Sequence, residues 1–382
     1  LRQAICPVFG KCGGCAYQDM EYDQQLAIKK KEVLDRLYMH HIEPPSNVKI
    51  FYKNEYFYRS RMDFIFSDNG LGMREKGKFA KVVNFEKCYI SNDGINGIFT
   101  EVNSWFFANK EKIDVFKNRE NKGTLRYAVI RNPYFSKEAS ITFILNKDSE
   151  KADGHKALIK DFAAGSKVKN ILAGLVKHNT DQSATEDYEV IKGSDIIYET
   201  MQEMKYYFHT QGFFQNNSPV SLDMLYYIRE KLRDGGDTLL DLFGGIGTFG
   251  IFLSDAFKET HTVDNNRLNI ICARKNLDEN RVSDKVRVHE IDAEDIGQLN
   301  YLFFNKKSVF VLDPPRVGLH KKTTAFITEV KPGTIIYVSC NPEQLAKDAE
   351  ALREYYEMKD LAVFDMFPQT KHVESVATFE LK

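Results

Sequence analysis

Asp241-Leu242-Phe243-Gly244-Gly245-Ile246-Gly247-Thr248-Phe249-Gly250 is a glycine-rich turn set between a short apolar run, Thr238 to Leu242, and a helical pattern. Gly245, Gly247 and Gly250 spell G-x-G-x-x-G. Residues without a Cβ let such a turn tighten and let a ligand approach the backbone. The same pattern occurs in plain turns, so its weight comes from the strand before it and the helix after it. Asp264 stands 19 residues beyond Gly245, at the end of the next strand. A carboxylate placed there can accept both hydroxyls of an adenosine ribose, and Asp292 ends the strand after that, near where an adenine edge would lie.

Outward from this turn, strands and helices alternate. A helix is expected over Pro219 to Leu232, with strands at Thr238 to Leu242, His261 to Val263, Val286 to His289, Ser308 to Leu312 and Thr334 to Val338, and further strands near Ala362 to Asp365 and Val373 to Phe379. The rhythm predicts an α/β domain over residues 208–382, an open and largely parallel sheet with helices on both faces. Residues 1–207 lack it. They offer an irregular Gly-rich stretch from Cys6 to about Tyr22 and a helix over Gln24 to Tyr38 with Leu26, Val33, Leu34 and Leu37 on its apolar face. Short strands follow at Arg61 to Ser67, Lys81 to Asn84, Tyr127 to Arg131 and Ser140 to Leu145. This half reads as an α+β domain.

At 382 residues the chain is long for a single core. No run of 18 apolar residues exists to span a membrane, and no apolar segment follows Leu1-Arg2 as a secretory signal would, so the cytoplasm is the expected compartment. A first residue of Leu rather than Met leaves an upstream segment open. The net charge is −1, but through Arg131 there are 22 lysines and arginines against 16 acidic residues. A basic front on an acidic rear suits local contact with phosphates. A monomer is the expected state.

Two motifs carry chemistry. Val338-Ser339-Cys340-Asn341-Pro342 places a thiol where a strand gives way to a helix, and backbone N–H groups at a helix start favour the thiolate. Asp313-Pro314-Pro315-Arg316 follows the strand Ser308 to Leu312, where prolines fix a rigid loop and hold an acidic side chain at the cleft. The glycine turn suits NAD or S-adenosylmethionine alike. Asp241 favours the second, because it can receive a hydrogen bond from the amino group of a methionine moiety.

Taken together, these motifs resemble the RNA uracil-5-methyltransferase family, which acts on tRNA and 23S ribosomal RNA. The matching segments are Gly212-Phe213-Phe214-Gln215-Asn216-Asn217, Asp241 to Gly250, Asp313 to Leu319, Ser339 to Pro342, and Asp365-Met366-Phe367-Pro368-Gln369-Thr370-Lys371-His372-Val373-Glu374. Two departures stand out: the family's amino-terminal TRAM barrel does not precede the cysteines, and Thr248 occupies a position that is often Asn. The resemblance implies a Rossmann-like, class I S-adenosylmethionine-dependent methyltransferase domain. It makes Cys340 the nucleophile toward C6 of uracil, Glu374 the base that removes the C5 proton, and Asp313 a group holding uracil. It assigns Gln215, Phe243, Gly245, Gly247, Thr248, Asp264, Asp292 and Asp313 to the methyl donor. The partner it implies is ribosomal or transfer RNA, with no DNA and no membrane. A cytosine-5 methyltransferase and an inactive RNA-binding protein are the rival readings.

Cys6, Cys12, Cys15 and Cys88 supply four thiolates, and their spacing suits zinc or an iron–sulfur cluster equally. The resemblance favours a structural [4Fe–4S] cluster. Cys272, in a helical stretch, reads as packing. Basic residues interleaved with aromatics, Tyr56, Tyr58, Arg59, Arg61, Lys78 to Lys81, Arg126-Tyr127 and Arg131, are candidates for RNA contact, and Arg316 is a candidate for a phosphate.

Overall fold

The computed structural model describes residues 2–300 and 302–382. In chain order its regular elements are α1 (Tyr22–Met39), β1 (Lys49–Phe51), β2 (Arg61–Ser67), β3 (Gly70–Glu75), β4 (Lys78–Asn84), α2 (Asp93–Ala108), β5 (Leu125–Arg131), β6 (Ser140–Asn146), α3 (Ala152–Gly165), β7 (Asn170–Val176), β8 (Tyr188–Lys192), β9 (Ile196–Met201) and β10 (Met204–His209). The chain continues through α4 (Ser218–Lys231), β11 (Gly236–Leu242), α5 (Thr248–Leu253), β12 (Phe257–Asp264), α6 (Arg267–Glu279), β13 (Val286–Glu290), β14 (Val309–Leu312), α7 (Lys321–Val330), β15 (Thr334–Ser339), α8 (Pro342–Leu352), β16 (Tyr356–Phe364) and β17 (Glu374–Leu381).

Eight strands form one sheet in the order β1-β16-β17-β15-β14-β11-β12-β13. β11 to β15 run parallel, and β17 is antiparallel to both of its neighbours. Every residue of β14, Val-Phe-Val-Leu, is buried, as a strand covered on both faces requires. β11 pairs with β12 on one side and β14 on the other, so the winding reverses beside it. Clefts open beyond the carboxyl ends of strands at such a reversal.

The first half of the chain is not a separate layer throughout. β1 pairs in parallel with Ala362, Val363 and Phe364 of β16. Val33 and Leu37 of α1, with Ile42 and Val48, share one core with Leu240, Phe310, Ile335 and Val363. Residues 22–51 lie before the expected boundary at 207/208, yet they are built into the carboxy-terminal sheet. The physical reason is the edge of β16, whose free backbone groups β1 satisfies.

Strands β2 to β8 form a seven-stranded sheet, β4-β3-β2-β5-β6-β7-β8, while β9 and β10 pair with each other in a separate antiparallel ribbon. The seven-stranded sheet is antiparallel except where α3 crosses over between β6 and β7. β1, β3, β7, β8, β9, β10, α2 and α3 lie outside the elements expected from the sequence. Gly70 and Gly72 disguise β3, yet Gly72 is needed there: a Cβ would lie 2.3 Å from the Val83 carbonyl oxygen of β4. No helix among the described residues is long and apolar enough to cross a membrane.

Candidate active site

A cavity of about 840 Å³ opens at the carboxyl ends of β11, β12, β14 and β15, beside the start of β17. Gln215, Phe243, Gly245, Asp264, Asp292, Asp313, Arg316, Cys340 and Glu374 all line it. Gly247 and Thr248 do not; they stand behind the wall where α5 begins. Phe243 turns out of β11 with φ +63°, a left-handed conformation that persists in an aromatic residue only where the surroundings impose it.

α5 lies hard against the sheet. A Cβ at Gly250 would meet Thr262 Oγ1 at 2.3 Å and Asp241 Oδ2 at 3.0 Å. Asp241 Oδ2 accepts hydrogen bonds from Gly250 N (2.9 Å) and Thr262 Oγ1 (3.3 Å), while its Oδ1 has no protein partner. Burial pushes this carboxyl up to about 7. Asp241 is absent from the cavity wall, so the expectation that it meets a methionine amino group gives way to a role in anchoring α5. Asp264 is oriented by three donors: Gly245 N (3.0 Å) on Oδ2, Asn266 N (2.8 Å) and Asn269 Nδ2 (3.2 Å) on Oδ1. Asp292 is exposed and caps Glu294 N at 2.9 Å.

At the other end of the cavity, Ser339 Oγ accepts from Asn341 N (3.1 Å) and donates to Asn341 O (3.0 Å), a tight turn that leaves Cys340 between them. Asn341 Nδ2 donates to the Arg316 carbonyl at 2.9 Å, stitching the thiol loop to the Asp313 loop. Arg316 Nη2 in turn donates to His372 Nδ1 at 3.2 Å. Glu374 is the first residue of β17 and is 4% exposed. Burial, and then the charge of Asp313, raise its carboxyl well above the usual range, with Arg316 opposing. Burial, and then the charge of Asp241, push Asp313 up to about 7. The Cys340 thiol is raised as well, by burial first and by Glu374 next, with Arg316 opposing. The expected lowering by a helix start is therefore outweighed in the free protein, because the thiol is half buried beside two carboxyl groups.

The four amino-terminal cysteines, all free, converge on a second and smaller cavity walled by Val8, Phe9, Met62, Met73, Phe85 and Ile90. Gln18 bridges the loop, accepting from Cys6 N (3.1 Å) and donating to Cys15 Sγ (3.3 Å). Burial pushes Cys12 up to about 11 and Cys15 up to about 12. Among the described residues no three His, Cys, Asp or Glu side chains meet the geometry of a single-ion site. Cys272 is buried in α6 and packs there, as read.

The arginines divide. Arg126 is buried, with Phe116 4.0 Å beneath it, and its Nη atoms donate to the carbonyls of Lys177 (2.9 Å) and Thr180. Arg131 is buried too and donates to the Gly212 carbonyl. Neither reaches a partner outside the protein, which corrects their assignment to RNA: both faces of β5 are covered. Arg61 is held by Asp63 in a two-pronged ion pair. Arg59 and Arg316 keep access to solvent. The sequence reading passed over Phe213, Asn265, Asn266, Asn269, Val317 and Phe367, which also line the cavity. Phe213, Val317 and Phe367 lie inside matched segments, and Asn266 is an asparagine just before a helical stretch, the cap of α6, where it accepts from Asn269 N.

A family model described as tRNA (Uracil-5-)-methyltransferase matches residues 21–381. The tRNA (uracil(54)-C(5))-methyltransferase of Pyrococcus abyssi is 31% identical over 373 residues, which are 97% of this chain and 84% of that protein. The enzyme of the same name from Pyrococcus horikoshii is 32% identical over 375 residues, 98% of this chain and 85% of that protein. The crystal structure of the P. abyssi enzyme in complex with S-adenosyl-L-homocysteine superposes with a TM-score of 0.80 at 27% identity, covering 97% of this chain and 86% of that one. The chain belongs to the tRNA (uracil-5-)-methyltransferase family.

Proposed function

We propose that this protein transfers a methyl group from S-adenosylmethionine to C5 of uridine 54 in tRNA. The observation that carries the reading is the convergence of Cys340, Asp313 and Glu374 on one cavity with the strand-end turns of β11 and β12. The names of the Pyrococcus relatives support tRNA and position 54 over ribosomal RNA.

C5 of uracil is a poor nucleophile until C6 is saturated. Cys340 Sγ adds to C6, and the enolate so formed attacks the methyl carbon of the donor. The carbon–sulfur bond of the sulfonium breaks, and S-adenosylhomocysteine leaves. Glu374 then takes the C5 proton, the C5–C6 double bond re-forms, and the thiolate of Cys340 departs. The positive sulfonium beside Asp313 and Glu374 favours their ionised forms, so donor binding prepares the base. Phe243, Gly245, Asp264 and Asp292 hold the donor, Asp313 and Gln215 address the uracil and the reacting end of the donor, and Gly247 and Thr248 support the turn from behind. The base must leave its stack to reach the cavity, at a cost of a few kcal/mol.

Cys6, Cys12, Cys15 and Cys88 fit a [4Fe–4S] cluster: four free thiols face one apolar cavity, where their charge as thiolates needs a cationic partner. The resemblance to the family favours the cluster over a single zinc ion. When bound, it ties the amino-terminal loop to the turn that carries Cys88. The RNA face runs alongside. Cys12 pairs with Glu75 of β3, exposed Lys11, Lys76, Lys78 and Lys81 belong to the same two segments, and the Arg74 guanidinium lies 3.9 Å from the ring centre of Phe79, which is 60% exposed. Lys87 lies 4.5 Å from the centre of the Phe57 ring. Cations beside open aromatic faces suit unpaired loop nucleotides.

Two substrates test the reading, a tRNA transcript and its U54→C variant, each incubated with methyl-labelled donor. Label recovered as 5-methyluridine from the first alone supports it. Label in 5-methylcytidine, or equal label in both, overturns it. With 5-fluorouridine at the target the native enzyme should form a stable covalent adduct that Cys340→Ala lacks, while S-adenosylhomocysteine still binds that variant.

A further inference from the structure

The segment Asp365–Val373 joins β16 to β17 without regular structure and delivers Glu374 to the cavity. β17 supports Glu374 from one side only. Its first ladder pairs are Glu374 with Phe364 and Ser375 with Ser339. On the other side stands Gln369, fully buried and in the left-handed region at φ +68°. That conformation costs a non-glycine residue free energy and persists only where its surroundings over-determine it.

The surroundings do so. The Gln369 carbonyl accepts from Ala16 N (2.8 Å) and Tyr17 N (3.1 Å). Its N–H donates to Gln25 Oε1 at 3.2 Å, and Gln25 Nε2 donates back to Gln369 Oε1 at 3.1 Å. Gln369 Nε2 donates to Glu55 Oε2 at 3.0 Å. Every polar atom of Gln369 thus has a partner, and every partner precedes residue 56 in the chain. A buried reciprocal amide pair is costly to leave half made, so it holds α1 and this turn at hydrogen-bond distance. Neither glutamine lines the cavity.

We propose that Gln369, clamped by Gln25, is a positioning residue that aims the Glu374 carboxylate at the C5 proton of the covalent adduct and takes no part in methyl transfer. The inference rests on Glu374 being the base, as read above. Misplacing a reacting group by about 1 Å costs on the order of a hundredfold in rate. Sulfur addition and methyl transfer precede proton loss. A misaimed base therefore leaves the methylated adduct in place, joined to Cys340.

Gln369→Asn retains a residue that tolerates the left-handed region but is too short to reach both side-chain partners. Gln25→Ala removes the clamp from α1 and carries the test if Gln369→Asn does not fold. Both are compared with native enzyme and Glu374→Gln, using tRNA transcript and S-adenosylmethionine. The expected result is a fall in turnover of roughly 10- to 100-fold, a covalent enzyme–tRNA complex on denaturing gels as in Glu374→Gln, and native affinity for S-adenosylhomocysteine. Native turnover in the folded variants overturns the proposal. So does lost turnover without a trapped complex, which is what general loosening of the fold gives. If Glu374→Gln traps no complex, the base assignment falls and this inference with it. If Glu374→Gln traps a complex and the glutamine variants do not, the positioning role alone falls.

Discussion

Asp313 and Glu374 present their carboxyl groups to one cavity, and the charge of Asp313 adds to burial in holding the proton on Glu374. In the proposed mechanism Glu374 and Cys340 must both lose a proton before they act, and both are raised from their ordinary values. The pH profile of kcat/KM for this RNA uracil-5-methyltransferase should therefore fall on the acid side, with a midpoint well above that of an ordinary glutamate. Asp313→Asn removes a negative charge that raises both groups, so Glu374 and Cys340 ionise more readily and the acid limb moves to lower pH while turnover drops. Methyl transfer measured across the limb decides: a limb that stays put in Asp313→Asn means that the charge of Asp313 governs neither group.

Asp241 gives a stability prediction whose sign is fixed by burial. Its carboxyl is raised from the ordinary value to about 7, so the folded state binds the proton more tightly than the unfolded chain does. The native protein loses stability through this group as pH rises from about 4 to 7. Asp241→Asn has no such loss, and its amide oxygen still accepts from Gly250 N. Relative to native, the variant should gain up to about 4 kcal/mol between acid and neutral pH. Urea unfolding at both ends of that range measures the gain, and a constant difference refutes it.

The cysteine cavity makes a compositional prediction. Protein purified without oxygen should contain iron and acid-labile sulfide in equal amounts, lost together in Cys15→Ser and Cys88→Ser. Removing the metal should lower the melting temperature, since binding free energy to a folded site is folding free energy. Zinc without sulfide would reverse the assignment.

The family, the catalytic sheet and most of the cavity were legible because short apolar runs ended at residues with a chemical task. β15 was read from Thr334, where it begins, and Asp313, Cys340 and Glu374 each sit at or just beyond a strand end. What escaped depends on partners remote in sequence. Arg126 and Arg131 read as surface cations, but β5 is covered on both faces and their charge goes to backbone carbonyls. Lys29, outside the expected apolar face of α1, is buried against Asp365 at 2.6 Å, with Tyr22 bonded to the same carboxylate at 2.9 Å. Gln25 and Gln369 carry no local signal of burial; only the packing of α1 on the carboxy-terminal sheet brings them together.

β1 gives that packing a consequence for biosynthesis. Lys49 pairs with Ala362, so during translation β1 waits for a strand about three hundred residues further along the chain. Ala16, Tyr17, Gln25 and Glu55 likewise wait for the turn before Glu374, which is made long after them. The enzyme cannot mature half by half in the order of translation. Helix α1 stays unpaired, with Val33 and Leu37 uncovered, until β14, β15 and β16 have been made, a vectorial delay that leaves the nascent chain exposed to chaperones and to aggregation.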